Sequence, residues 1–150
     1  IPRARVFAPR VPAPKPYAVF HALASAAHKA WPPERFLAIA RGLRHLEPVF
    51  IGGPGDDLSP FHEFQTQLNP SLRDTISTIQ SASLFIGNDS GPAHLAAAAG
   101  VPLVVLFGES DPVIWAPWRA HAQSVVAGGP MNLIPVERVQ QAIDALGVPA

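Results

Sequence analysis

Short apolar runs alternate along this chain with longer segments whose apolar residues recur every three or four positions. The short runs are typical of β-strands, and the segments with helical spacing are typical of helices that bury one face. One run, Leu103 to Phe107, is apolar at every position, as expected of a strand covered on both faces of its sheet. The predicted strands are 17–21, 48–51, 84–86, 103–107 and 124–127, and the predicted helices are 32–46, 61–68, 71–81, 94–99 and 136–146.

This alternation of strands and helices predicts the fold class: a doubly wound α/β domain, with a parallel sheet between two layers of helices. In such sheets, ligands bind beyond the carboxyl ends of the strands, where loops lead into helices. The loops that follow Phe20, Ile51, Ile86 and Phe107 are therefore the candidate functional loops.

The composition fits one domain with a substantial core, since 48% of the 150 residues are hydrophobic. The 11 basic and 11 acidic residues balance and form no run of like charge, so no nucleic-acid partner is expected. No apolar stretch reaches the roughly 20 residues that span a bilayer. The chain has no cysteine, which suits a reducing compartment. We therefore expect a cytoplasmic protein.

Residues 1–16 contain five prolines and lack the continuous apolar core of a signal peptide. This composition is typical of an extended connector. We interpret residues 1–16 as a connector from a missing N-terminal domain and residues 17–150 as the folded domain. The chain is accordingly expected to be one part of a longer protein.

The clearest candidate chemistry follows the strand 84–86, where the sequence GNDSG leads directly into a helix. The first N–H groups of a helix lack intrahelical partners and lie at the positive end of its dipole, so they can receive a phosphate. Gly91 lets an anion approach the backbone, and Pro92 is tolerated in the first turn. Ser90 and His94 are four residues apart and are expected on the same face of the helix start.

Each of these residues also has an ordinary structural interpretation. Asp89 or Ser90 could simply cap the helix, and His94 could be a half-buried histidine with satisfied hydrogen bonds. It is their combination at one strand-to-helix junction that favours an anion-binding function.

The run NDSGPAHLAAAAGVPLVVLFG, residues 88–108, resembles the signature of glycosyltransferase family 9, the heptosyltransferases of lipopolysaccharide core synthesis. The resemblance extends to other segments in the same order. They are His21 followed by KAWPPERF at 29–36, the turn IGGP at 51–54, and IPV at 134–136. Together these segments cover roughly residues 17 to 146.

The resemblance implies a GT-B architecture, in which two Rossmann-like domains face each other across a cleft. The C-terminal domain binds the nucleotide-sugar donor and the N-terminal domain binds the lipid-linked acceptor; this chain resembles the C-terminal domain alone. The implied activity of the full-length protein is metal-independent transfer of heptose from ADP-heptose to a lipopolysaccharide-type acceptor, with the donor as substrate and no cofactor. The catalytic base is implied to lie in the missing domain, so this chain alone is expected to be inactive.

Carried over by motif position, Asp89, Ser90, Gly91 and His94 are implied to contact the diphosphate and sugar of the donor. Lys29 is implied to neutralise the leaving nucleoside diphosphate, an electrostatic role that stabilises a transition state. Without the resemblance, Lys29 would be interpreted as a solvated charge.

In the family, an acidic residue after the second strand is implied to hold the ribose hydroxyls. Asp56 and Asp57 lie nearest that position, and the choice between them is open. Either carboxylate could equally cap a helix start. Glu109 lies at the mouth of the same crevice, where it either contacts the donor or belongs to a plain turn.

The sequence departs from the family in two places. Many relatives have His-Pro-Gly after the first strand, whereas here Ala22 and Leu23 follow His21, so Leu23 is expected to crowd the diphosphate. The segment 66–71, which precedes the third helix, is polar and contains a proline. The strand expected there should therefore be short or irregular.

Two other functions stay open. The domain could be a non-catalytic nucleotide-binding module, which the altered loop after His21 favours, or part of another GT-B transferase or an epimerase that uses a different nucleotide sugar. A dinucleotide enzyme is disfavoured because no G-x-G-x-x-G follows the first strand. No metal site is expected, because the sequence has no D-x-D and its six histidines are scattered. For the full-length protein, a peripheral position at the inner membrane is the alternative to a purely cytoplasmic one.

Overall fold

A computed structural model describes residues 16–23, 30–53, 55–68, 71–108 and 122–150. Two short 3-10 helices, Ser59–Phe61 and Met131–Leu133, accompany the main elements. The strands are β1 (Tyr17–His21), β2 (Glu47–Gly52), β3 (Gln65–Leu68), β4 (Leu84–Asn88), β5 (Leu103–Phe107) and β6 (Ala122–Val126), and the helices are α1 (Pro33–Gly42), α2 (Leu72–Gln80), α3 (Gly91–Ala98) and α4 (Val136–Leu146).

The strands form one parallel sheet in the order β3-β2-β1-β4-β5-β6. The order reverses between β1 and β4, which are neighbours in the sheet although two strands separate them in sequence. Their carboxyl ends lie side by side, since His21 is in register with Gly87, the residue before the end of β4. This arrangement confirms the predicted doubly wound α/β class and creates a crevice at the carboxyl ends of β1 and β4.

Each face of the sheet carries its own core. On one face, residues such as Phe20 and Ile86 pack with α1 and α4. On the other, residues such as Val19 and Phe85 pack with α2 and α3. Because both faces are covered, β4 and β5 are buried at every position, which is why β5 is apolar throughout and β4 is apolar up to Asn88.

The helix predicted over 61–68 is wrong. A single 3-10 turn, Ser59–Phe61, is followed by the edge strand β3. The three-residue spacing of Phe61 and Phe64 arises because both rings stack on Phe50, with centroids 4.4 and 5.9 Å from it, and not because they share a helix face. β3 is only four residues long, as the polar sequence at 66–71 predicted for an edge strand.

Helix boundaries also differ from the sequence pattern. α1 ends at Gly42. Leu46 is therefore not part of this helix, and its buried side chain belongs to the connection between α1 and β2. The backbone N–H groups of Arg44 and His45 instead donate to the carbonyl oxygen of Ala150, both at 2.7 Å. α3 begins at Gly91, three residues earlier than predicted, and therefore starts directly at the GNDSG sequence.

Candidate functional site

A cavity of about 330 Å³ opens at the carboxyl ends of β1 and β2, beside the beginnings of α2 and α3. It lies next to the crevice where the strand order reverses, which is the usual ligand position in an open α/β sheet. The predicted functional loops after Phe20, Ile51 and Ile86 therefore meet in one region. The described residues that line the cavity are His21, Ile51, Gly52, Gly53, Leu72, Thr75, Gly91, Pro92 and Leu95.

The first turn of α3 forms one wall of this cavity. Ser90 is the N-cap residue in extended backbone, but its side chain makes no capping hydrogen bond to the helix. Its hydroxyl lies 3.4 Å from Nδ1 of His21 instead. Gly91 is exposed, and a Cβ atom there would meet no atom of the described residues within 4 Å. The Ser90 side chain therefore leaves the first N–H groups of α3 without a capping hydrogen bond. Such N–H groups can bind an anion.

The other two residues predicted at this junction flank the wall. Asp89 and His94 are exposed and do not line the cavity. The backbone N–H of Asp89 donates to the carbonyl of Leu106 at 3.0 Å, which fixes the loop between β4 and α3 to β5. The structure therefore brings Asp89, Ser90, Gly91 and His94 together at one helix start.

Asp56 and Asp57 have different surroundings. Asp56 closes the turn after β2, where its Oδ2 accepts the N–H of Gly53 at 2.7 Å beside the cavity wall. Asp57 caps the 3-10 turn, accepting the N–H of Ser59 at 2.9 Å. That backbone hydrogen bond holds the pKa of Asp57 below its usual value. The charge of Asp56 acts on the His21 imidazole and tends to raise its pKa.

His21 lines the cavity, whereas Leu23 packs against the core. Burial lowers the pKa of His21, an effect that the charge of Asp56 partly opposes. Leu23 is half-buried against the core on the α1 and α4 face and does not line the cavity. Its side chain lies beside the turn after β2, 3.3 Å from where a Cβ on Gly52 would stand. Leu23 thus packs against the core next to Gly52, a residue of the cavity lining, and its crowding of a diphosphate stays a prediction.

Sequence reasoning missed Asn88, the one fully buried polar side chain in the described part of the chain. It is 1% exposed, and its Oδ1 accepts the backbone N–H of Trp31 at 3.2 Å. The indole N–H of Trp31 donates to the carbonyl of Ile134 at 2.9 Å. The KAWPPERF segment therefore contains a buried anchor that ties the start of α1 to the end of β4 and to the 130–135 segment.

The contribution of α2 to the cavity was also missed. Leu72 and Thr75 come from its first turn, and Leu72 is 66% exposed. No local motif marks these positions; only the pairing of β3 with β2 brings α2 to this edge. Lys29 and Glu109 lie outside the described residues, as do residues 1–15 of the predicted connector.

Two further features concern metals and membranes. Within the described ranges, no three histidine, aspartate, glutamate or cysteine side chains lie close enough together to hold a metal ion. None of the helices described has the length and apolar character needed to cross a bilayer.

The sheet order and the helix start at the switch point place this chain among the doubly wound α/β domains, whose ligands bind at that point. The family model described as glycosyltransferase family 9 (heptosyltransferase) matches residues 3–133. The chain belongs to this family, as its sequence motifs indicated.

Individual relatives agree with this assignment. The chain is 37% identical over 125 residues to lipopolysaccharide heptosyltransferase 3 of Escherichia coli. The matched region covers 75% of this chain and 37% of the relative. A glycosyltransferase family 9 structure from Veillonella parvula is 25% identical with a TM-score of 0.72, covering 91% of this chain and 47% of that one.

The structure of E. coli heptosyltransferase WaaC with ADP shares the fold, with a TM-score of 0.77 at 21% identity. It covers 91% of this chain and 46% of the WaaC chain. The chain thus spans about half the length of the solved structures it matches, and 37% of the curated relative named above.

Proposed function

We propose that this chain is the donor-binding half of a glycosyltransferase that transfers heptose from ADP-heptose to a lipopolysaccharide-type acceptor. The observation that carries the proposal is the cavity at the switch point, with the uncapped start of α3 as one wall. Such a helix start favours the diphosphate of a nucleotide sugar, because its N–H groups and its dipole both attract negative charge. Family membership and the ADP named in the WaaC structure support the choice of donor.

The cavity suggests how the donor lies. The diphosphate would meet Ser90 and Gly91, with Asp89 and His94 beside it. Ile51, Leu72 and Leu95 form an apolar part of the lining that suits a nucleobase. Asp56 is the better placed of the two aspartates to accept the ribose hydroxyls, because Asp57 caps the 3-10 turn.

The chemical step is proposed to be metal-independent. Lys29 would neutralise charge on the leaving diphosphate as the glycosidic bond breaks, and Glu109 would contact the donor at the cavity mouth. The base that deprotonates the acceptor hydroxyl would come from an N-terminal acceptor-binding domain. We propose no cofactor for this reaction, in which the nucleotide sugar is a substrate.

The lipopolysaccharide acceptor in the name of the E. coli relative leads us to propose an acceptor anchored in a membrane. We propose a cytoplasmic protein that meets this acceptor at the surface of the inner membrane. The altered loop after His21 supports a second candidate function, that of a nucleotide-binding module without transfer activity. Binding of ADP without heptose transfer by the full-length protein would favour that candidate.

The direct test is isothermal titration of the chain with ADP, GDP and UDP. We expect ADP to bind most tightly and Asp89→Ala to weaken its binding. Asp144→Ala is the matched control, because Asp144 is an exposed aspartate on α4 whose carboxylate pairs with Gln140 of the same helix. Equal binding of the three nucleotides, or none, would contradict the proposed donor.

A further inference from the structure

His21 holds a special position in the cavity. It is the last residue of β1, and its imidazole contacts the hydroxyl of Ser90 across the crevice at 3.4 Å. Its backbone is packed tightly against β4, because a Cβ on Gly87 would lie 2.9 Å from the carbonyl oxygen of His21. The imidazole is therefore held beside the start of α3 by the sheet itself.

His21 is the one titratable side chain among the described residues that line the cavity; the others are apolar residues, glycines and a threonine. Within the part of the chain that the structure describes, the ionisable groups on the surrounding elements are exposed and stand outside this lining. They are Asp56 on the turn after β2, Arg73 and Asp74 on α2, and Asp89 and His94 at the start of α3.

The free protein keeps this imidazole uncharged at neutral pH. Burial is the main cause of the lowered pKa of His21, and the charge of Asp56 opposes it only partly. A diphosphate at the start of α3 would place negative charge beside the same imidazole. Nearby negative charge favours the protonated form, so the pKa of His21 should rise when the ligand binds.

We propose that His21 is a binding residue for the diphosphate of the donor and that its imidazole takes up one proton from solvent when the nucleotide sugar binds. The imidazolium then donates a charge-assisted hydrogen bond within the cavity, next to the N–H groups of α3. The free protein thereby avoids a buried positive charge, and the complex gains one. This inference rests on the proposed donor site and adds a residue and a proton to it.

Because binding takes up a proton, the affinity for the donor depends on pH. Binding strengthens as pH falls, by up to about tenfold per pH unit between the pKa of His21 in the free protein and its pKa in the complex. Above both values the slope vanishes, because neither state holds the proton. Between about pH 8 and pH 6.5 we expect affinity to rise about threefold to tenfold.

The test is isothermal titration of the chain with ADP-glucose, whose diphosphate is esterified at both ends and does not change charge in this pH range. Titrations in two buffers of different ionisation enthalpy count the protons taken up. His21→Asn keeps a polar group near the Nδ1 position but cannot titrate, and we expect it to abolish both proton uptake and the pH slope. His45→Asn, which alters an exposed histidine in the connection between α1 and β2, should leave both unchanged.

Proton counting on the unaltered chain keeps the test independent of whether His21→Asn folds. Binding of ADP-glucose with a flat pH profile and no proton uptake would overturn the inference while leaving the proposed function intact. A pH slope that persists in His21→Asn would overturn the inference as well. Failure of ADP-glucose and of free ADP to bind at any pH would overturn the proposed donor site, and this inference with it.

Discussion

The amide oxygen of Asn88 accepts the backbone N–H of Trp31 at 3.2 Å, joining the end of β4 to the segment that leads into α1. Together with the contact between Ser90 and His21, this bond links the loops that follow β1 and β4. The start of α3 is thereby held beside the end of β1 and the residues that lead into α1.

Replacing Asn88 with alanine should destabilise the fold. The change leaves the buried N–H of Trp31 without its acceptor, and an unsatisfied buried polar group costs about 1–3 kcal/mol. The free energy of unfolding, measured by urea denaturation, should fall by that amount. Asn132→Ala is the control, because Asn132 is exposed; an equal loss in both variants would show that the Asn88 bond contributes nothing of its own.

Two glycines of the GNDSG sequence should respond differently to alanine. At Gly87 a Cβ would lie 2.9 Å from a backbone oxygen and 3.0 Å from the ring of Phe85. Gly87→Ala should therefore cost about 1–3 kcal/mol of stability through overpacking.

At Gly91 a Cβ meets open space, so Gly91→Ala should fold normally. Its methyl group would instead occupy the approach to the helix start, and we expect ADP affinity to fall about tenfold, equivalent to a loss of about 1.4 kcal/mol. Thermal unfolding and nucleotide titration on both variants separate the two effects. Unchanged ADP affinity in Gly91→Ala would argue against the phosphate position.

Substitutions of Asp56 and of Asp57 should have different effects on ADP binding and on stability. Asp56→Asn should weaken ADP binding. Asp57→Asn should leave binding intact and lower the melting temperature slightly, because an amide oxygen can still accept the N–H of Ser59 but lacks the charge that strengthens this hydrogen bond. Nucleotide titrations and melting curves of both variants check this. A larger loss of ADP affinity in Asp57→Asn than in Asp56→Asn would reverse the ribose assignment.

The hydrogen bond from Ser59 to Asp57 also predicts that the stability of the fold depends on pH. The pKa of Asp57 is lowered in the folded state, so its carboxylate stabilises the fold above the pKa of the unfolded chain. That contribution is lost as pH falls through the lower, folded-state pKa. The difference in melting temperature between the unaltered chain and Asp57→Asn should therefore shrink on acidification.

Gly147 should be difficult to replace at the end of α4. It follows α4 with φ of 71°, in the left-handed region, and its N–H donates to the carbonyl of Asp144. Gly147→Ala should cost about 1 kcal/mol. Gly42→Ala, at the last position of α1 with open space around it, should instead be neutral or stabilising by a few tenths of a kcal/mol. Urea denaturation of the pair checks the contrast, and equal effects would contradict it.

The local pattern of the chain was enough to predict the layered α/β class and most of its elements. Leu103–Phe107 is a strand with the bounds its apolar run indicated, and Val136–Leu146 is the closing helix. The GNDSG sequence, followed by Pro92, predicted a strand-to-helix junction because serine and proline have intrinsic preferences for the first positions of a helix. These features depend on neighbouring residues, and neighbouring residues are visible in a sequence.

The tertiary structure decided which distant residues meet. Whether Phe61 and Phe64 share a helix or stack on Phe50 depends on the pairing of β2 with β3, and periodicity alone cannot distinguish these cases. The separation of Asp56 from Asp57 and the burial of Asn88 beneath Trp31 likewise arise from contacts between segments far apart in the chain. Local propensities carry no information about such contacts, because their energies exist only once the sheet has brought the segments together.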